Sequence, residues 1–444
     1  MRTFFIETWG CQMNQHDSEL IEGQLREAGM SRADDASVAD LVVLNTCSVR
    51  ERPVQKIVSR IGFLEKQERT PLIGVCGCVA QQEGVTLLER SDSVGFVLGP
   101  GQIGRVGEAL RAVDHGRRPV LTGFDAESEH NFHTIFRKST TRGMVSVVEG
   151  CNEFCTFCVV PYTRGREASR SLQSVLDEVR HLVGTGLKEV ELLGQTINAF
   201  RCPSTGADFA DLLEAVADTT DLQRVRFITS HPRYFNDRLV EVLATNDRVS
   251  RYLHLPFQAG SNAVLQRMHR GYTREEYIEL LGRIRAAVPE INLSTDVIVG
   301  FPGETEGDFQ QTLDLLENLR FGQVFAFAFS PRPKTPARLY DDQVPEGVMK
   351  ERLHRLFETT DRISLELNRL LVGTTIAVLV DGESRRSPKH WQGRGEDNRV
   401  VNFPKTGREK VGDVVGVAIE RAGAHSLSGV AANATRLLPV HGEG

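Results

Sequence analysis

Short apolar runs alternate with helical patterns over residues 1–118. Four runs have the length and β-branched content of buried strands, at residues 3–7, 39–45, 71–76 and 95–98. One helical face begins after Asp17-Ser18 and another after Pro53. The apolar residues of these faces are Leu20, Leu25 and Ala28, then Val54, Ile57, Ile61 and Leu64. Strands and helices alternating in this way predict a flavodoxin-like α/β domain.

A longer series of the same kind covers residues 137–369, after a polar linker expected at 119–143. Six strand-like runs occur, at residues 145–149, 189–193, 224–230, 251–255, 291–300 and 324–329. Helical patterns separate them, and one helix is expected to start at Thr305, where Asp308 completes a capping box. Repeated strand–helix units imply parallel strands with right-handed crossovers. We therefore predict an open (β/α)6 partial barrel with functional groups at the carboxyl ends of its strands.

The pattern changes after the proline-rich segment 331–336. A helix is predicted over residues 347–371, and strict alternation of apolar and polar residues follows, as at Ile376, Val378 and Val380. Turn-forming residues punctuate this last part, at 381–382, 406–407 and 411–413. The spacing predicts a small five-stranded β-barrel over residues 372–437.

Composition places the chain among globular proteins of several domains. Its 444 residues are 40% hydrophobic and 25% charged. We find no run of about 18 apolar residues and no signal peptide, so a cytoplasmic protein without a membrane partner is expected. The net charge of -6 gives no overall indication of nucleic-acid binding.

The last module differs in charge from the rest of the chain. Residues 373–436 hold ten Lys or Arg and seven Asp or Glu, a net charge of about +3. Trp391 and Phe403 lie among the basic residues, as stacking groups would in an RNA-binding surface. A solvated barrel surface is the alternative, and RNA binding is favoured.

Three closely spaced cysteines follow the first strand of the second series. Cys151, Cys155 and Cys158 have C-x3-C-x2-C spacing, and Phe157 precedes the last of them. Three thiolates can hold three irons of a 4Fe-4S cube and leave the fourth iron open to another ligand. Structural zinc is the main alternative, but zinc usually takes four protein ligands and the chain has no second C-x2-C.

Three further cysteines each follow a predicted strand of the first domain. Cys11, Cys47 and Cys78 should meet, because the carboxyl ends of parallel strands gather at one edge of a sheet. The arrangement predicts a second three-thiolate site. Cys76 lies within its strand and is interpreted as a buried core thiol, although it is the alternative third ligand.

Loops rich in Gly, Pro and small polar residues follow the strands of the second series. They occur at residues 194–198, 229–232, 254–261 and 299–305. Together with the cysteine loop they resemble the lining of a pocket for a zwitterionic nucleoside ligand. His231 and His254 lie in this region, and a structural role is favoured over metal ligation for both.

Two long motifs resemble those of the radical S-adenosylmethionine (SAM) methylthiotransferases. Residues 8–19 (TWGCQMNQHDSE) and 158–167 (CVVPYTRGRE) look like the branch of that family that modifies tRNA. The resemblance covers the whole chain, and it implies an N-terminal cluster domain at 1–118, a radical SAM core at 137–369 and a C-terminal TRAM domain at 372–437.

The resemblance also implies the cofactors and the reaction. Cys151, Cys155 and Cys158 would hold a 4Fe-4S cluster that reduces SAM to a 5′-deoxyadenosyl radical. A second 4Fe-4S cluster, on Cys11, Cys47 and Cys78, would hold the sulfur that is transferred, and a second SAM would supply the methyl group. The product would be the 2-methylthio derivative of N6-dimethylallyladenosine at position 37 of tRNA. The SAM pocket is expected at Phe157, Gln195, Ser230 and Gln258.

An aromatic C–H bond at carbon 2 of adenine offers neither an acidic proton nor a leaving group, so a cofactor must perform the reaction.

The expected partners are a tRNA anticodon loop, an electron donor such as flavodoxin or ferredoxin, and a sulfur donor; a monomer is expected. The alternatives are a methylthiotransferase acting on threonylcarbamoyl adenosine or on a ribosomal protein side chain, and a non-enzymatic iron–sulfur RNA-binding scaffold.

Overall fold

The computed structural model describes residues 2–48, 53–124 and 132–432. Its N-terminal domain is a six-stranded parallel sheet in the order β2-β1-β3-β4-β5-β6. The strands are β1 (Thr3–Trp9), β2 (Ser31–Arg32), β3 (Leu41–Thr46), β4 (Leu72–Gly77), β5 (Val94–Leu98) and β6 (Val120–Leu121). The helices are α1 (Gln12–Glu27), α2 (Pro53–Glu65), α3 (Cys78–Glu83), α4 (Thr86–Arg90) and α5 (Val106–Asp114). The expected flavodoxin-like fold is confirmed.

Both faces of this sheet are buried, which is why its strands are nearly all apolar. On β3, Leu41 and Val43 pack on one face, while Val42 and Leu44 pack on the other. The linker expected at 119–143 contains β6 at its start and the first residues of the next domain's sheet at its end. Residues 125–131 of that linker lie outside the described residues.

The predicted start of α1 is wrong. The helix begins at Gln12, directly after Cys11, five residues before the expected start at Asp17. Asp17 and Ser18 are buried within the helix, where their side chains bind groups outside it instead of capping its first turn. Polar residues of this type indicate a cap only when they have no tertiary partner to bind.

The central domain is an open partial barrel with six parallel strands, as expected. Its strands are β7 (Arg142–Glu149), β8 (Ala168–Ser169), β9 (Glu189–Gly194), β10 (Arg224–Phe227), β11 (Tyr252–His254), β12 (Asn292–Val299) and β13 (Gln323–Ala328). Short β8 is antiparallel to β7 at one edge, and β13 forms the other edge. Backbone bonds such as Ser230 N to His254 O, at 3.3 Å, connect β10 to β11 and make the wall continuous.

Helices cover the outer face of this barrel. They are α7 (Leu172–Gly184), α8 (Phe209–Ala217), α9 (Asp237–Thr245), α11 (Arg274–Ala287), α12 (Glu306–Leu319) and α13 (Glu346–Arg369). Short α6 (Val160–Thr163) and α10 (Asn262–Arg267) lie in loops that follow the carboxyl ends of strands. The predicted capping box of Thr305 and Asp308 is confirmed at the start of α12. Alternate strand residues point outward into the apolar core beneath the helices, so the residues between them face the interior of the barrel.

The C-terminal domain is a closed five-stranded barrel in the order β14-β15-β16-β18-β17, as expected. Its strands are β14 (Thr375–Ser384), β15 (Ser387–Arg394), β16 (Val400–Pro404), β17 (Val414–Ala422) and β18 (Leu427–Ala431). The prediction that Phe403 is a stacking group on the surface is wrong. Phe403 is 0% exposed and packs with Val401 inside the barrel, because alternate residues of β16 face inward. Arg436 and the end of the expected TRAM range lie outside the described residues.

The turn after β15 closes the amino-terminal end of the partial barrel. Arg224 and Arg226 donate to Gly395 O at 3.2 and 2.9 Å, and Asn292 Nδ2 donates to Asp397 O at 2.8 Å. These contacts lie at the end opposite the strand-end loops that carry the candidate site. In the part of the chain that the structure describes, none of the helices is long and apolar enough to cross a membrane.

Candidate functional site

Cys11, Cys47 and Cys78 meet at the carboxyl edge of the N-terminal sheet. Cys11 precedes α1, Cys47 follows β3, and Cys78 is the first residue of α3. The Cys47 thiol bonds with both Cys11 and Cys78, and these bonds lower the pKa of Cys11 and of Cys78 despite burial. The same bonds raise the pKa of Cys47. The structure thus brings together the three soft donors that the sequence predicted at this edge.

Glycines allow the backbone to approach this site closely. Gly77 has a φ of +89°, and a Cβ at this position would lie 2.5 Å from Thr46 O. At Gly10 a Cβ would lie 2.7 Å from the Cβ of Cys47. Both glycines directly precede a cysteine of the site, so a side chain at either position would push that cysteine away from Cys47.

Cys76 has a different environment. It is 0% exposed within the apolar core formed with Phe96 and Leu98, and burial raises the pKa of its thiol. Its side chain packs in this apolar core with the Asp17 carboxylate nearby, whereas Cys78 contacts Cys47 and Thr163. This placement favours the assignment of Cys78 as the third donor.

An arginine from the central domain lies beside these cysteines. Arg164 Nη2 donates to Asp17 at 2.5 Å, and both residues are buried. The guanidinium lowers the pKa of Cys11 and of Cys78, which shows that its charge acts on the thiols. Burial raises the pKa of Asp17 to about 7, and Arg164 opposes this effect. Within the described residues, Arg164 Nη1 is buried without a hydrogen-bond partner.

Cys151, Cys155 and Cys158 lie in the loop between β7 and α6. Cys158 N donates to Cys155 O at 2.9 Å, which folds the loop into a turn. Burial raises the pKa of Cys151, and it raises that of Cys158 to about 12, with a further contribution from the neighbouring Cys155 in each case. The turn therefore keeps the three thiols on one short loop, where one cofactor could bind all of them.

Arg270 and Thr196 contact this second set of cysteines. Buried Arg270 donates from Nη1 to Cys155 Sγ at 3.3 Å, and Thr196 Oγ1 lies 3.3 Å from Cys151 Sγ. The sequence interpretation missed Arg270, because an arginine between two helices resembles an ordinary solvated loop residue. A guanidinium at this distance stabilises a thiolate.

Glu153 fastens the cysteine loop to the loop that follows β10. Its buried carboxylate accepts from Tyr234 Oη at 2.5 Å and from Arg233 Nη1 at 3.1 Å. His231 Nδ1 accepts from Arg233 N at 3.3 Å, and burial lowers the pKa of His231 to about 2, so its ring is neutral. These contacts support the structural interpretation of His231.

His254 also has polar partners within the barrel. Its Nδ1 lies 2.8 Å from Ser294 Oγ, and its Nε2 lies 3.5 Å from a carboxylate oxygen of Asp296. The Ser294 hydroxyl in turn bonds with Tyr252 Oη at 2.7 Å. The favoured structural role of His254 agrees with this network on the inner wall.

The four residues expected in the SAM pocket lie on four different segments around the second cysteine loop. Gln195 Oε1 accepts from Gly150 N at 2.5 Å, at the start of that loop. In the described chain, Gln195 Nε2 and Ser230 Oγ are buried polar atoms without a hydrogen-bond partner. Gln258 is buried with a φ of +69°, and Phe157 packs at the edge of an apolar cluster centred on Phe301.

The donor sets fit clusters better than single metal ions. Over residues 2–48, 53–124 and 132–432, no group of three or more His, Cys, Asp or Glu has the geometry to hold one metal ion. In a 4Fe-4S cube each thiolate binds a different iron, so three ligands need not converge on one point. Buried donors without partners stand beside each cysteine set, Arg164 Nη1 at one and Gln195 Nε2 at the other. Both sites therefore offer soft sulfur ligands and nearby groups able to bind an anionic or polar ligand.

Three family descriptions match successive parts of the chain. Residues 3–99 match "Uncharacterized protein family UPF0004", residues 145–316 match the radical SAM superfamily, and residues 369–432 match the TRAM domain. Each match falls on one of the three domains of the structure.

Curated relatives match almost the whole chain. A tRNA-2-methylthio-N(6)-dimethylallyladenosine synthase of Bdellovibrio bacteriovorus is 44% identical over 95% of this chain and 93% of its own length. Proteins of the same name are 42% identical in Acetivibrio thermocellus, over 96% and 90% of the two chains, and 43% identical in Geotalea uraniireducens, over 96% and 98%.

Solved structures share the fold at low sequence identity. The radical S-adenosylmethionine methyltransferase TsrM from Kitasatospora setae has a TM-score of 0.55 and 15% identity, with 86% of this chain and 79% of that chain covered. The cobalamin-dependent radical enzyme OxsB has a TM-score of 0.52 and 13% identity, with 80% and 56% covered. These likenesses support an α/β domain joined to a radical SAM partial barrel.

Proposed function

The chain belongs to the family of tRNA-2-methylthio-N(6)-dimethylallyladenosine synthases, and we propose that its two cysteine sets hold the two 4Fe-4S clusters of that reaction. Cys151, Cys155 and Cys158 form the SAM-binding site, and Cys11, Cys47 and Cys78 form the sulfur-donating site. The enzyme is a transferase that adds sulfur and methyl to N6-dimethylallyladenosine in tRNA. When bound, the clusters and SAM supply the electron, the radical, the sulfur and the methyl group for this conversion.

One observation carries the assignment most strongly. The residues from Cys158 to Arg164 connect the two sites directly, because they continue from the second cysteine loop through α6 to the first site. Thr163 on α6 bonds with Cys78, and Arg164 binds Asp17 beside Cys11. One short segment therefore joins the two cysteine sets, which supports a reaction that uses both of them on a single tRNA base.

The side chains around each site orient and stabilise what binds there. Arg270 donates a charged hydrogen bond to Cys155 Sγ and so helps to fix the position of this thiol. Gln195 and Ser230 present polar atoms to the space beside the second cysteine loop, where the charged end of SAM would bind. Glu153 fixes the position of this loop through Tyr234.

The C-terminal barrel is the proposed site of tRNA binding. Of its basic residues, six are exposed: Arg385, Arg386, Lys389, Arg408, Lys410 and Arg421. Trp391 is half-buried, and Lys405 Nζ lies 4.4 Å from the centre of its ring, so phosphate contacts contribute more here than stacking. An electron donor such as flavodoxin or ferredoxin and a sulfur donor complete the reaction, and the enzyme acts as a cytoplasmic monomer.

Mass analysis of tRNA nucleosides tests this function in cells. Deletion of the gene should remove 2-methylthio-N6-dimethylallyladenosine and leave N6-dimethylallyladenosine in its place. Expression of the intact gene should restore the modified nucleoside, and a Cys151→Ala variant should not. Loss of a methylthio group from threonylcarbamoyl adenosine or from a ribosomal protein would contradict the proposal.

A further inference from the structure

Two phenylalanine rings are exposed on the inner wall of the partial barrel. Phe325 and Phe327 lie on the edge strand β13 and are 40% and 47% exposed. The alternating residues Val324 and Ala326 pack into the core beneath the helices. Side chains of a strand alternate between its faces, so the two rings face the interior of the barrel. We name Phe325 and Phe327 the aromatic wall.

The aromatic wall lies between a polar and an apolar part of the interior. Phe325 is paired in register with Asp296 of β12, and its ring lies 5.8 Å from that of His254. Phe327 is paired with Ile298, which packs at the edge of the same apolar cluster as Phe157. The aromatic wall therefore extends along the strand from the His254–Asp296 pair toward the second cysteine loop.

Exposed rings in a concave wall indicate a ligand with an apolar part. Exposure of a large apolar side chain to water raises the free energy of the protein, and clusters of such side chains commonly mark binding sites. The charged ends of SAM and the ribose and phosphates of tRNA are polar. The five-carbon dimethylallyl group on N6 is the part of the substrate whose burial against two phenyl rings is favourable.

We propose that Phe325 and Phe327 receive the dimethylallyl group and make the enzyme selective for prenylated tRNA. The proposal rests on the function proposed above. Asp296, whose side chain is 29% exposed next to Phe325, adds discrimination, because its carboxylate repels a competing adenosine substituent that carries a carboxylate. Selection thus combines an apolar attraction with an electrostatic repulsion.

The test compares two anticodon stem-loop RNAs that differ only in the dimethylallyl group at adenosine 37. Their dissociation constants are measured anaerobically with the SAM-bound, cluster-loaded, full-length enzyme. The wild-type enzyme should bind the prenylated RNA more tightly. The preference is the ratio of the two dissociation constants. In the double variant Phe325→Ala/Phe327→Ala this ratio should fall roughly tenfold, which is the order of effect known for a small apolar group in a pocket. A Phe325→Leu/Phe327→Leu variant should retain most of it.

Phe357 provides a matched control, because it is 41% exposed on α13. Phe357→Ala should leave the preference unchanged. If the double variant does not fold, the same dissociation constants are measured for Phe325→Ala and Phe327→Ala separately. An unchanged preference, or an equal loss of affinity for both RNAs, would overturn the proposal. Methylthiolation of the prenylated RNA by the wild-type enzyme is assayed separately. If this reaction occurs but the preference is unchanged in the variants, only the role of the aromatic wall is wrong. If the reaction does not occur, the proposed function itself is wrong.

Discussion

Two buried arginines supply positive charge to the two cysteine sites. Arg164 acts on Cys11 and Cys78, and Arg270 donates to Cys155. A charge removed from water interacts strongly with its neighbours because the surrounding dielectric is low. Each guanidinium therefore compensates negative charge that a thiolate cluster would bring into the protein.

Replacement of Arg164 should change the electronic properties of the N-terminal cluster. Arg164→Gln removes a positive charge that favours the reduced, more negative state, so the reduction potential of this cluster should fall. Proton uptake by Asp17, whose pKa burial raises to about 7, would offset this loss of charge, so the fall should be larger at alkaline pH, where Asp17 stays ionised. A redox titration followed by electron paramagnetic resonance measures the potential.

Arg180→Gln is the control for this measurement, because Arg180 is exposed on α7. It should leave both potentials unchanged. An unaltered potential in Arg164→Gln would show that the guanidinium serves only to hold the two domains together.

The two neighbouring cysteines of the third strand–helix unit should behave differently. Cys78→Ala removes a donor that contacts Cys47, so iron should fall from about eight to about four per chain and methylthiolation should stop. Cys76→Ala removes a small group from the apolar core and should cost about 1 kcal/mol of stability with activity retained. Iron analysis and thermal unfolding distinguish them. If Cys76→Ala instead lost activity and Cys78→Ala kept it, Cys76 would be the third cluster ligand and Cys78 the core thiol.

At the scale of elements, the junctions between strands and helices decide where the cysteines lie. Gly77 ends β4 with a φ of +89° and leads directly into Cys78 at the start of α3. Since a Cβ at this position would collide with the carbonyl of Thr46, the junction requires glycine for two reasons, its backbone angle and its lack of a side chain.

A glycine substitution separates these two reasons. Gly77→Ala should destabilise the protein by more than roughly 1 kcal/mol and should lower the iron content, because its φ of +89° and ψ of -159° lie in a region essentially restricted to glycine and the added Cβ would collide with Thr46 O. Gly29→Ala is the control for a positive φ without a collision, because Gly29 has a φ of +79° and none of the described residues has an atom within 4 Å of the added Cβ. It should show the backbone cost alone and keep its iron. Equal iron content in both variants would mean that the collision at Gly77 is relieved without moving Cys78.

Apolar periodicity predicted the positions of the strands and helices well. Capping residues predicted the start of one helix correctly and the start of another wrongly. The box at Thr305 was identified correctly because Thr305 and Asp308 bind each other's backbone N–H at the start of the helix, and the contact of Asp308 with Ser261 leaves this pairing intact. Asp17 and Ser18 were mistaken for a cap because their actual partners, Arg164 and Asn45, are distant in sequence. Phe403 was misplaced because aromatic residues among lysines are typical both of RNA-binding surfaces and of barrel cores.

At the scale of the whole molecule, the C-terminal barrel is a structural part of the core. Its turn at Gly395 satisfies Arg224 and Arg226, which also bind Glu189 inside the partial barrel. Deletion of residues 373–444 would remove the carbonyl that both guanidinium groups bind and leave Glu189 as their remaining partner, so it would damage the core as well as tRNA binding. Apolar periodicity gives no signal for contacts between domains of this kind, so the sequence predicted the barrel but not its contacts with the partial barrel.

Substitution of surface charges tests tRNA binding without this damage. Arg385, Arg386 and Lys389 are exposed at the β14–β15 hairpin. Their joint replacement by Gln should weaken tRNA binding and reduce the slope of log affinity against log salt by about 0.9 for each lost phosphate contact. Binding titrations at several salt concentrations provide the measurement.

A triple Gln variant of Arg180, Arg238 and Arg283 removes the same charge from exposed positions on the central helices. It should leave the slope unchanged. If the two triple variants gave the same slope, the C-terminal barrel would have no special role in binding tRNA.

The central claim is that the two cysteine sets have separate tasks in one reaction. It is tested most directly by the 5′-deoxyadenosine that the triple variant Cys11→Ala/Cys47→Ala/Cys78→Ala forms from SAM under reducing conditions with prenylated tRNA. We expect this variant to form 5′-deoxyadenosine at a rate comparable to the wild-type enzyme while its tRNA gains no methylthio group, because Cys151, Cys155 and Cys158 are intact. Absence of 5′-deoxyadenosine from a folded variant that retains half its iron, or a methylthiolated product, would contradict the division of tasks.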